Sequence, residues 1–457
     1  MSKESGRLPF ILGLVKYLPE IKAPKVKYLS LKEKLKWTLI IVIAYFVLSA
    51  IPLFGLGSNS LMQFEYLSLV MGASFGSLLT LGIGPIVTSS IILQLLNGSG
   101  ILRFDLNSQE GKSKFEGYQK LLTVIFILLE AGVYVYMGGL SPDPTLIENG
   151  LVGEYNLLQL GLFIQVAIGG FLIYFMSDLL DKWGIGSGIS LFIAAGVSQT
   201  IFLRLFSPFT TTQATGATGA IFAVIEAISK GQAASVMSTL SAVFFTLVVF
   251  GLAVYLQSMK VELSLSFSNY RGKGFKWPLN FIYTSNIPVI LVSSFLATVQ
   301  LLITLVGGNE SIGMWLSPFN LIEKIFQGTL APVNGLQALT YVLLMIGGSV
   351  LFSIFWAQTS GMDSESQADK ILKSGLQLPG FRKDKRVLKM VLDTYIPALT
   401  VLGAISVGLL ASLADLTGAY GRGTGILLTV MIIYNFYEKI SREHFSEMTP
   451  GMKKLMK

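Results

Sequence analysis

Ten long apolar stretches constrain this chain more than any other feature of its sequence. A helix needs about 20 apolar residues to cross a hydrocarbon core roughly 30 Å thick. Charged residues make up only 13% of the 457 residues, against roughly 25% in soluble proteins. The sequence therefore predicts an all-α polytopic membrane protein with ten transmembrane helices. They lie near residues 37–56, 75–96, 120–139, 156–177, 188–206, 240–259, 286–306, 336–358, 396–414 and 424–440.

The composition excludes several classes of functional site. The sequence has no cysteine, which excludes disulfides, thiolate metal sites and cysteine nucleophiles. Its single histidine, His444, cannot form a cluster of histidine ligands. The sequence contains no Walker-type lysine, zinc-protease helix or catalytic-triad pattern. We therefore expect no enzyme activity, no catalytic residue, no metal and no cofactor.

Basic residues are divided unevenly between the two sides of the predicted membrane. With ten spans, 30 of the 34 Lys and Arg residues fall on one side, and basic loops are retained in the cytosol. Both termini are therefore predicted to be cytosolic. The predicted organisation is a cytosolic N-terminal segment at 1–36, an N-terminal half at 37–206, an external linker at 207–239, a C-terminal half at 240–440 with cytosolic loops at 260–285 and 359–395, and a cytosolic tail at 441–457.

The apolar segment at 61–70 is too short to span the membrane. Ten helical residues rise about 15 Å, half of the hydrocarbon thickness. Counting it as a span would also invert every later loop and destroy the charge asymmetry. It is expected on the external side, either as an interfacial helix or as a re-entrant plug folded back into the protein.

A glycine motif occurs twice. Residues 184–191 and 421–428 both read G-x-G-[ST]-G-I-x-L and open the fifth and tenth spans. A nucleotide-binding turn is disfavoured because that motif reads G-x-G-x-x-G and follows a strand. Five spans followed by five matching spans predict two inverted halves with a pathway between them. Pro85 and Pro288 fall within the second and seventh spans, where each is predicted to kink its helix.

Few ionisable residues lie within the spans. Glu130 is midway along the third span, and a carboxylate at that depth is a functional hypothesis by default. Asp178, Asp181 and Asp415 lie near span ends, where we expect them to contact headgroup water. The sequence thus offers little ion-binding chemistry, although an ion-coupled secondary transporter with inverted repeats remains the alternative to a channel.

The cytosolic loops are predicted to be structured. Apolar residues alternate on both sides of a turn within 261–281, which predicts a β-hairpin with a basic tip. The later loop contains a predicted helix at 364–373 and a basic run at 382–389. Two basic projections on one face suit an acidic partner such as RNA or anionic lipid.

Four segments of the sequence resemble the SecY family, the channel-forming subunits of the protein-conducting Sec translocon. They are Leu81–Thr88, Gly184–Thr200, Thr284–Leu291 and Gly423–Gly425, and the Gly-Ile-Gly-Pro form looks archaeal. The resemblance implies two five-helix halves around a central pore, a short re-entrant plug helix, and a lateral gate between the second and third spans and the seventh and eighth. It also implies a channel that translocates nascent polypeptides and releases transmembrane segments laterally into lipid.

The resemblance also implies roles for individual residues. The implied pore ring is Ile83, Val87, Ile189, Ile193, Ile290 and Leu428, and the implied plug is Leu61, Phe64, Leu67 and Val70. The implied lateral gate is Thr88, Glu130 and Thr298, and the position of Thr298 is often asparagine in the family. The implied ribosome-docking residues are Arg271, Lys273, Arg382 and Lys383.

The implied partners are SecE and Sec-beta-type small membrane subunits, the ribosome through its rRNA, signal sequences and nascent chains as substrate, and the lipid bilayer. The implied location is the cell membrane of an archaeon.

Overall fold

The computed structural model describes residues 21–24, 29–59, 74–98, 101–102, 104, 109–148, 155–207, 219–267, 274–284, 287–305, 313, 315–379, 384–421 and 423–447. The helices with described bounds are α1 (Leu31–Ser49), α2 (Gly84–Gly98), α3 (Gln109–Tyr136), α4 (Thr145–Glu148), α5 (Tyr155–Trp183), α6 (Gly188–Phe206), α7 (Ala220–Ser229), α8 (Ala233–Ser258), α9 (Ile287–Leu305), α10 (Leu321–Phe326), α11 (Pro332–Thr359), α12 (Ser364–Lys373), α13 (Lys385–Leu416) and α14 (Gly423–Glu447). The strands are β1 (Leu56–Asn59), β2 (Leu140–Pro142), β3 (Lys260–Phe267), β4 (Gly274–Asn280) and β5 (Leu376–Gln377).

A helix overlaps each of the ten predicted spans: α1, α2, α3, α5, α6, α8, α9, α11, α13 and α14. Among the described residues, six helices are long and apolar enough to cross a membrane, namely α3, α5, α6, α8, α11 and α13. The predicted start of the second span is wrong, because residues 74–83 form turns and α2 begins only at Gly84. These turns bond to the segment after α1, where Leu53 N–H donates to the Gly76 carbonyl at 3.0 Å.

The chain packs as two compact units. One contains Met1–Val197 and Ile432–Lys457, and the other contains Ser198–Met431. In the first unit α3 packs on α2 and α5, and α1 packs on α5. In the second unit α11 packs on α9 and α13, while α8 packs on α7 and α10. The domain bounds predicted from the sequence stay predictions.

Neither proline kinks its helix. Pro85 is the second residue of α2 and Pro288 the second residue of α9. An N–H group in the first helical turn has no intrahelical acceptor, so proline loses nothing there. The predicted kinks are therefore wrong, and both prolines instead mark helix starts.

The three aspartates near helix ends also bond to protein groups, which the sequence did not predict, and their contact with headgroup water stays a prediction. Each carboxylate accepts a hydrogen bond from a backbone N–H. The bonds run from Ile21 N to Asp178 Oδ2 at 3.1 Å, from Gly188 N to Asp181 Oδ1 at 2.9 Å, and from Gly423 N to Asp415 Oδ1 at 2.8 Å.

The β-hairpin and the helix predicted for the two basic loops are both confirmed. β3 and β4 are antiparallel, with Lys260 opposite Asn280, and β5 adds a third strand on the other edge of β3. α12 spans the predicted residues, and its Ala368 and Ile371 belong to the same buried cluster as Leu265 of β3 and residues of α13. The sheet, α12 and the start of α13 thus share one apolar core.

Ion pairs also join α12 to α13. Glu365 of α12 bonds to Lys389 at 2.8 Å and to Lys385 at 3.2 Å, and Lys385 also reaches Asp369 at 2.9 Å. The hydrogen bonds from the two lysines hold the pKa of Glu365 below its ordinary value. Because that pKa is depressed in the folded chain, the contribution of Glu365 to stability is present at neutral pH and is lost as the pH falls through it.

Gly169 of α5 offers a direct test of the packing in the first unit. A Cβ atom there would lie 1.7 Å from the Leu78 carbonyl oxygen, whereas one at Gly161 of the same helix would meet nothing within 4 Å. We expect Gly169→Ala to lower the free energy of unfolding by about 1–3 kcal/mol or more, because the backbone of the turn must shift. We expect Gly161→Ala to be neutral or to stabilise by about 0.5–1 kcal/mol. Thermal unfolding in detergent measures both, and equal stabilities would contradict this packing.

Candidate functional site

Two of the three predicted gate residues lie together. The Thr88 side chain on α2 hydrogen-bonds to the Glu130 carboxylate on α3. Glu130 is half-buried, and its Oε2 atom has no hydrogen-bond partner among the described residues. A carboxylate with one unsatisfied oxygen is costly to bury. The third predicted residue, Thr298, lies on α9, but its side chain falls outside the described part of the chain.

Buried hydroxyl pairs join the helices of the second and third spans, and those of the seventh and eighth. Ser89 of α2 and Thr123 of α3 lie 2.7 Å apart. In the other unit, Thr284 just before α9 and Ser353 of α11 also lie 2.7 Å apart. The Ser353 hydroxyl additionally reaches the Thr400 carbonyl of α13 at 3.2 Å. Sequence reasoning missed these pairs, because a lone Ser or Thr in a span gives no indication of its partner.

The six predicted pore residues are divided between the two units. Ile83 lies in the turn before α2, Val87 on α2, and Ile189 and Ile193 on α6, all in the first unit. Ile290 on α9 and Leu428 on α14 belong to the second. Five of the six lie within the first six residues of a helix, and Ile83 immediately precedes one. Ile83, Ile193 and Leu428 are 1%, 2% and 1% exposed, while the other three are partly exposed.

A cavity of about 300 Å³ lies beside Ile189 within the first unit. Its walls combine apolar groups such as Ile86 with charged side chains from α3 and α5, including Glu116, Lys120 and Asp181. Over the described residues, no group of three or more His, Cys, Asp or Glu side chains could hold a metal ion.

The predicted docking and plug residues lie outside the described residues. The four docking residues are Arg271, Lys273, Arg382 and Lys383, and the four plug residues are Leu61, Phe64, Leu67 and Val70. The ends of both docking loops are nevertheless described. One loop connects β3 to β4, and the other follows β5, which pairs with β3 at Phe267 and Leu376. One three-stranded sheet therefore anchors both basic loops.

Comparisons with known proteins agree over the whole chain. The SecY family profile matches residues 77–437, and the profile of the plug domain of Sec61p matches residues 43–76, which include the predicted plug. The protein translocase subunit SecY of Methanothermobacter thermautotrophicus is 39% identical over 97% of this chain and 97% of its own length. The same subunit of Pyrococcus horikoshii is 38% identical over 99% of this chain and 100% of its own length.

Solved structures lead to the same result. The structure of a protein conducting channel matches with a TM-score of 0.77 and 36% identity, covering 96% of this chain and 98% of that one. Sec61 in the canine ribosome-channel complex from the endoplasmic reticulum matches with a TM-score of 0.75, 35% identity and the same coverage. The predicted all-α polytopic fold is confirmed. In both sequence and fold, therefore, this chain belongs to the SecY family.

Proposed function

We propose that this chain forms the membrane channel through which nascent polypeptides are translocated and from which transmembrane segments pass laterally into lipid. The observation that carries the proposal is the match in fold to a protein conducting channel over 96% of the chain. Family membership favours this channel over the ion-coupled secondary transporter that the sequence left open. No catalytic step is assigned to this chain, so the driving force for translocation comes from a partner.

The proposed pore ring consists of the six branched aliphatic residues at 83, 87, 189, 193, 290 and 428. Aliphatic side chains in a narrow constriction resist wetting and therefore oppose ion flow. Their dispersion contacts are individually weak, so such a ring can separate around an extended chain. Leu61, Phe64, Leu67 and Val70 are proposed to form the plug.

The proposed lateral gate includes the Thr88–Glu130 pair and Thr298. An apolar nascent helix gains roughly 0.3–0.6 kcal/mol per Leu, Ile, Phe or Val in lipid, whereas a central Asp, Lys or Arg costs about 2.5–3.5 kcal/mol. A polar seam between helices whose hydrogen-bonding groups lack partners, as at Glu130, is readily displaced by such a helix. The buried hydroxyl pairs support each side of this gate as a unit.

The proposed partners are the ribosome, at the sheet-anchored basic loops, and SecE and Sec-beta-type small membrane subunits. Relatives in solved structures include Sec61 in a canine ribosome-channel complex and the yeast Ssh1 complex bound to the yeast 80S ribosome. The location we propose is the plasma membrane of an archaeon, with both termini cytosolic, as the distribution of basic residues indicates. Impermeant thiol labelling of single cysteines at 271 and 383 from the cytosolic side only would agree with that orientation.

The pore proposal is tested by conductance. Replacing Ile83, Ile189 and Ile290 together by Ser, in a chain that also lacks residues 61–70, is expected to raise ion leak in planar bilayers, because the constriction widens and wets. The matched control replaces the same three residues by Val in the same deletion, and its leak should stay near that of the deletion alone. Equal leak in the Ser and Val variants would contradict the pore assignment.

The gate proposal is tested by signal-sequence hydrophobicity. Glu130→Leu removes the cost of a half-buried carboxylate from the unoccupied gate, so a model signal sequence should need roughly one or more additional leucines to open the channel. Glu130→Gln keeps a hydrogen-bonding partner for Thr88 and should shift this threshold less.

Glu116→Leu is the control for the gate test, because Glu116 lies on α3 but is exposed, near the start of the helix. It should leave the threshold unchanged. A well-expressed Glu130→Leu channel with the parental threshold would contradict a role in gating.

The docking proposal is tested by the salt dependence of ribosome binding. Arg271→Gln combined with Arg382→Gln should lower the slope of log affinity against log salt by about one for each lost phosphate contact. The control is Lys276→Gln with Lys385→Gln, which removes the same charge from lysines already paired with Glu262 and with Glu365 and Asp369. If both double variants show the same salt dependence of ribosome binding, the basic loops do not contact rRNA phosphate.

A further inference from the structure

The two glycine motifs begin helices in the same way, but not in the register that the sequence alignment indicates. Aligning the motifs pairs Gly186 with Gly423. In the structure, however, α6 begins at Gly188 and α14 at Gly423. The glycine two residues earlier has a positive φ in both cases, +82° at Gly186 and +81° at Gly421. The structural equivalent of Gly423 is therefore Gly188.

Hydrogen bonds around these two glycines repeat in that register. The N–H of Gly188 donates to Asp181 and that of Gly423 donates to Asp415, at 2.9 and 2.8 Å. These N–H groups are the first of each helix and have no intrahelical acceptor. In each case the aspartate comes from the C-terminal end of the preceding long helix, and its negative charge complements the positive dipole end at the start of α6 or α14.

A threonine from another helix completes each arrangement. The residue three before the glycine donates its N–H to a hydroxyl: Ile185 to Thr38 of α1 at 3.1 Å, and Tyr420 to Thr246 of α8 at 2.8 Å. α1 and α8 are the first and sixth predicted spans, as the inverted repeat requires. We name each set of threonine, aspartate and glycine a helix-start clamp.

Each glycine also packs tightly on the helix that supplies its aspartate. A Cβ at Gly188 would lie 2.6 Å from the Ser177 Cα, and one at Gly423 would lie 2.1 Å from the Ala411 carbonyl oxygen. Ser177 and Ala411 both lie four residues before the clamp aspartate. The start of each helix is therefore held against its neighbour by close contact and by hydrogen bonds together.

In each clamp, the glycine precedes a proposed pore residue by the same number of residues. Ile193 is five residues after Gly188, and Leu428 is five residues after Gly423, a rise of about 7.5 Å along each helix. We propose that Asp181 and Asp415 are positioning residues that fix the depth of Ile193 and Leu428 by holding the starts of α6 and α14. The proposal rests on the proposed function in one respect only, namely that these two residues line the pore.

The two aspartates differ in solvent exposure, so removing each one is predicted to loosen its helix start to a different extent. Asp181 is exposed and lines the 300 Å³ cavity, so water can replace part of its bond to Gly188. Asp415 is only 8% exposed and also accepts a bond from the Tyr341 hydroxyl at 2.7 Å. Loss of the buried acceptor leaves donors without partners and should have the larger effect.

The test measures thiol reactivity, because the sequence contains no cysteine. Ile193→Cys or Leu428→Cys is introduced into the full-length chain in its complex, and modification by a water-soluble maleimide is timed. Asp181→Ala should raise the rate at position 193 on the order of fivefold. Asp415→Ala should raise the rate at position 428 on the order of tenfold, since its bond is buried. Asp181→Asn and Asp415→Asn keep an acceptor oxygen and should restore rates close to those of the parent.

Matched controls distinguish loss of the aspartate–glycine bond from a general loss of packing around the two helices. Asp178→Ala and Asp393→Ala remove carboxylates from the same two helices without touching either glycine, and should leave the rates unchanged. Tyr341→Phe removes the hydroxyl bond to Asp415 but keeps the carboxylate that accepts from Gly423, and should raise the rate at position 428 less than Asp415→Ala does. Equal rates in the Asp→Ala variants and these controls would overturn the proposal, as would Asn variants that react like the Ala variants.

The same samples distinguish failure of this inference from failure of the proposed function. Translocation of a secretory precursor by the single-cysteine parents tests the channel. If the parents translocate but the Asp→Ala variants react no faster than their controls, only the positioning role fails. If the parents do not translocate while the predicted rates are observed, the clamps position α6 and α14 and the channel proposal fails.

Discussion

Backbone N–H and C=O groups have no water to bond with inside a hydrocarbon core, and this constraint governs most of the structure. Helices satisfy the constraint internally, so every irregular stretch between them must find other partners. The turns at 74–83 do so by pairing with the end of α1 and the residues after it, as in the bond from Leu78 N–H to the Ile51 carbonyl at 2.9 Å. The stretches before α6 and α14 do so through threonine hydroxyls and aspartate carboxylates.

The positions where this requirement is met by side chains are also those that carry the proposed function. The first turns of α2, α6, α9 and α14 contain or adjoin the proposed pore residues, and each start is marked by a glycine or proline. A helix start leaves donors that a neighbouring acceptor can satisfy, so a start bonded in this way is held to the element that supplies the acceptor. Placing an apolar constriction near such starts gives it a defined depth.

The polar groups within the spans differ in whether their hydrogen bonds are satisfied. Ser89 and Thr123, like Thr284 and Ser353, satisfy each other and join neighbouring helices, whereas Glu130 keeps one oxygen without a partner among the described residues. Satisfied pairs hold helices together, and an unsatisfied group gives a seam that another helix can displace. This difference separates the residues that join neighbouring helices from Glu130, which is proposed to form the gate.

Much of the architecture follows from the sequence because burial in lipid imposes a simple length and polarity rule. The apolar spans and the β-hairpin with α12 were predictable from hydrophobic patterns, and the repeat from a recurring motif. The residues that resemble the SecY family identified the fold that the comparisons confirm. Errors occurred where local patterns are ambiguous. Pro85 and Pro288 are compatible with a kink or with a helix start, and only the turns before each helix decide between them.

The tertiary structure decided what depends on contacts between distant residues. The sequence by itself determined which segments are helical and that two halves repeat, since those properties depend on composition and spacing along the chain. It could not assign Asp181 to Gly188 or Thr38 to Ile185, or pair Ile193 with Leu428, because the motif alignment is two residues out of the structural register. That register is set by close packing of a glycine on a neighbouring helix and by acceptors from separate helices, which no single segment encodes.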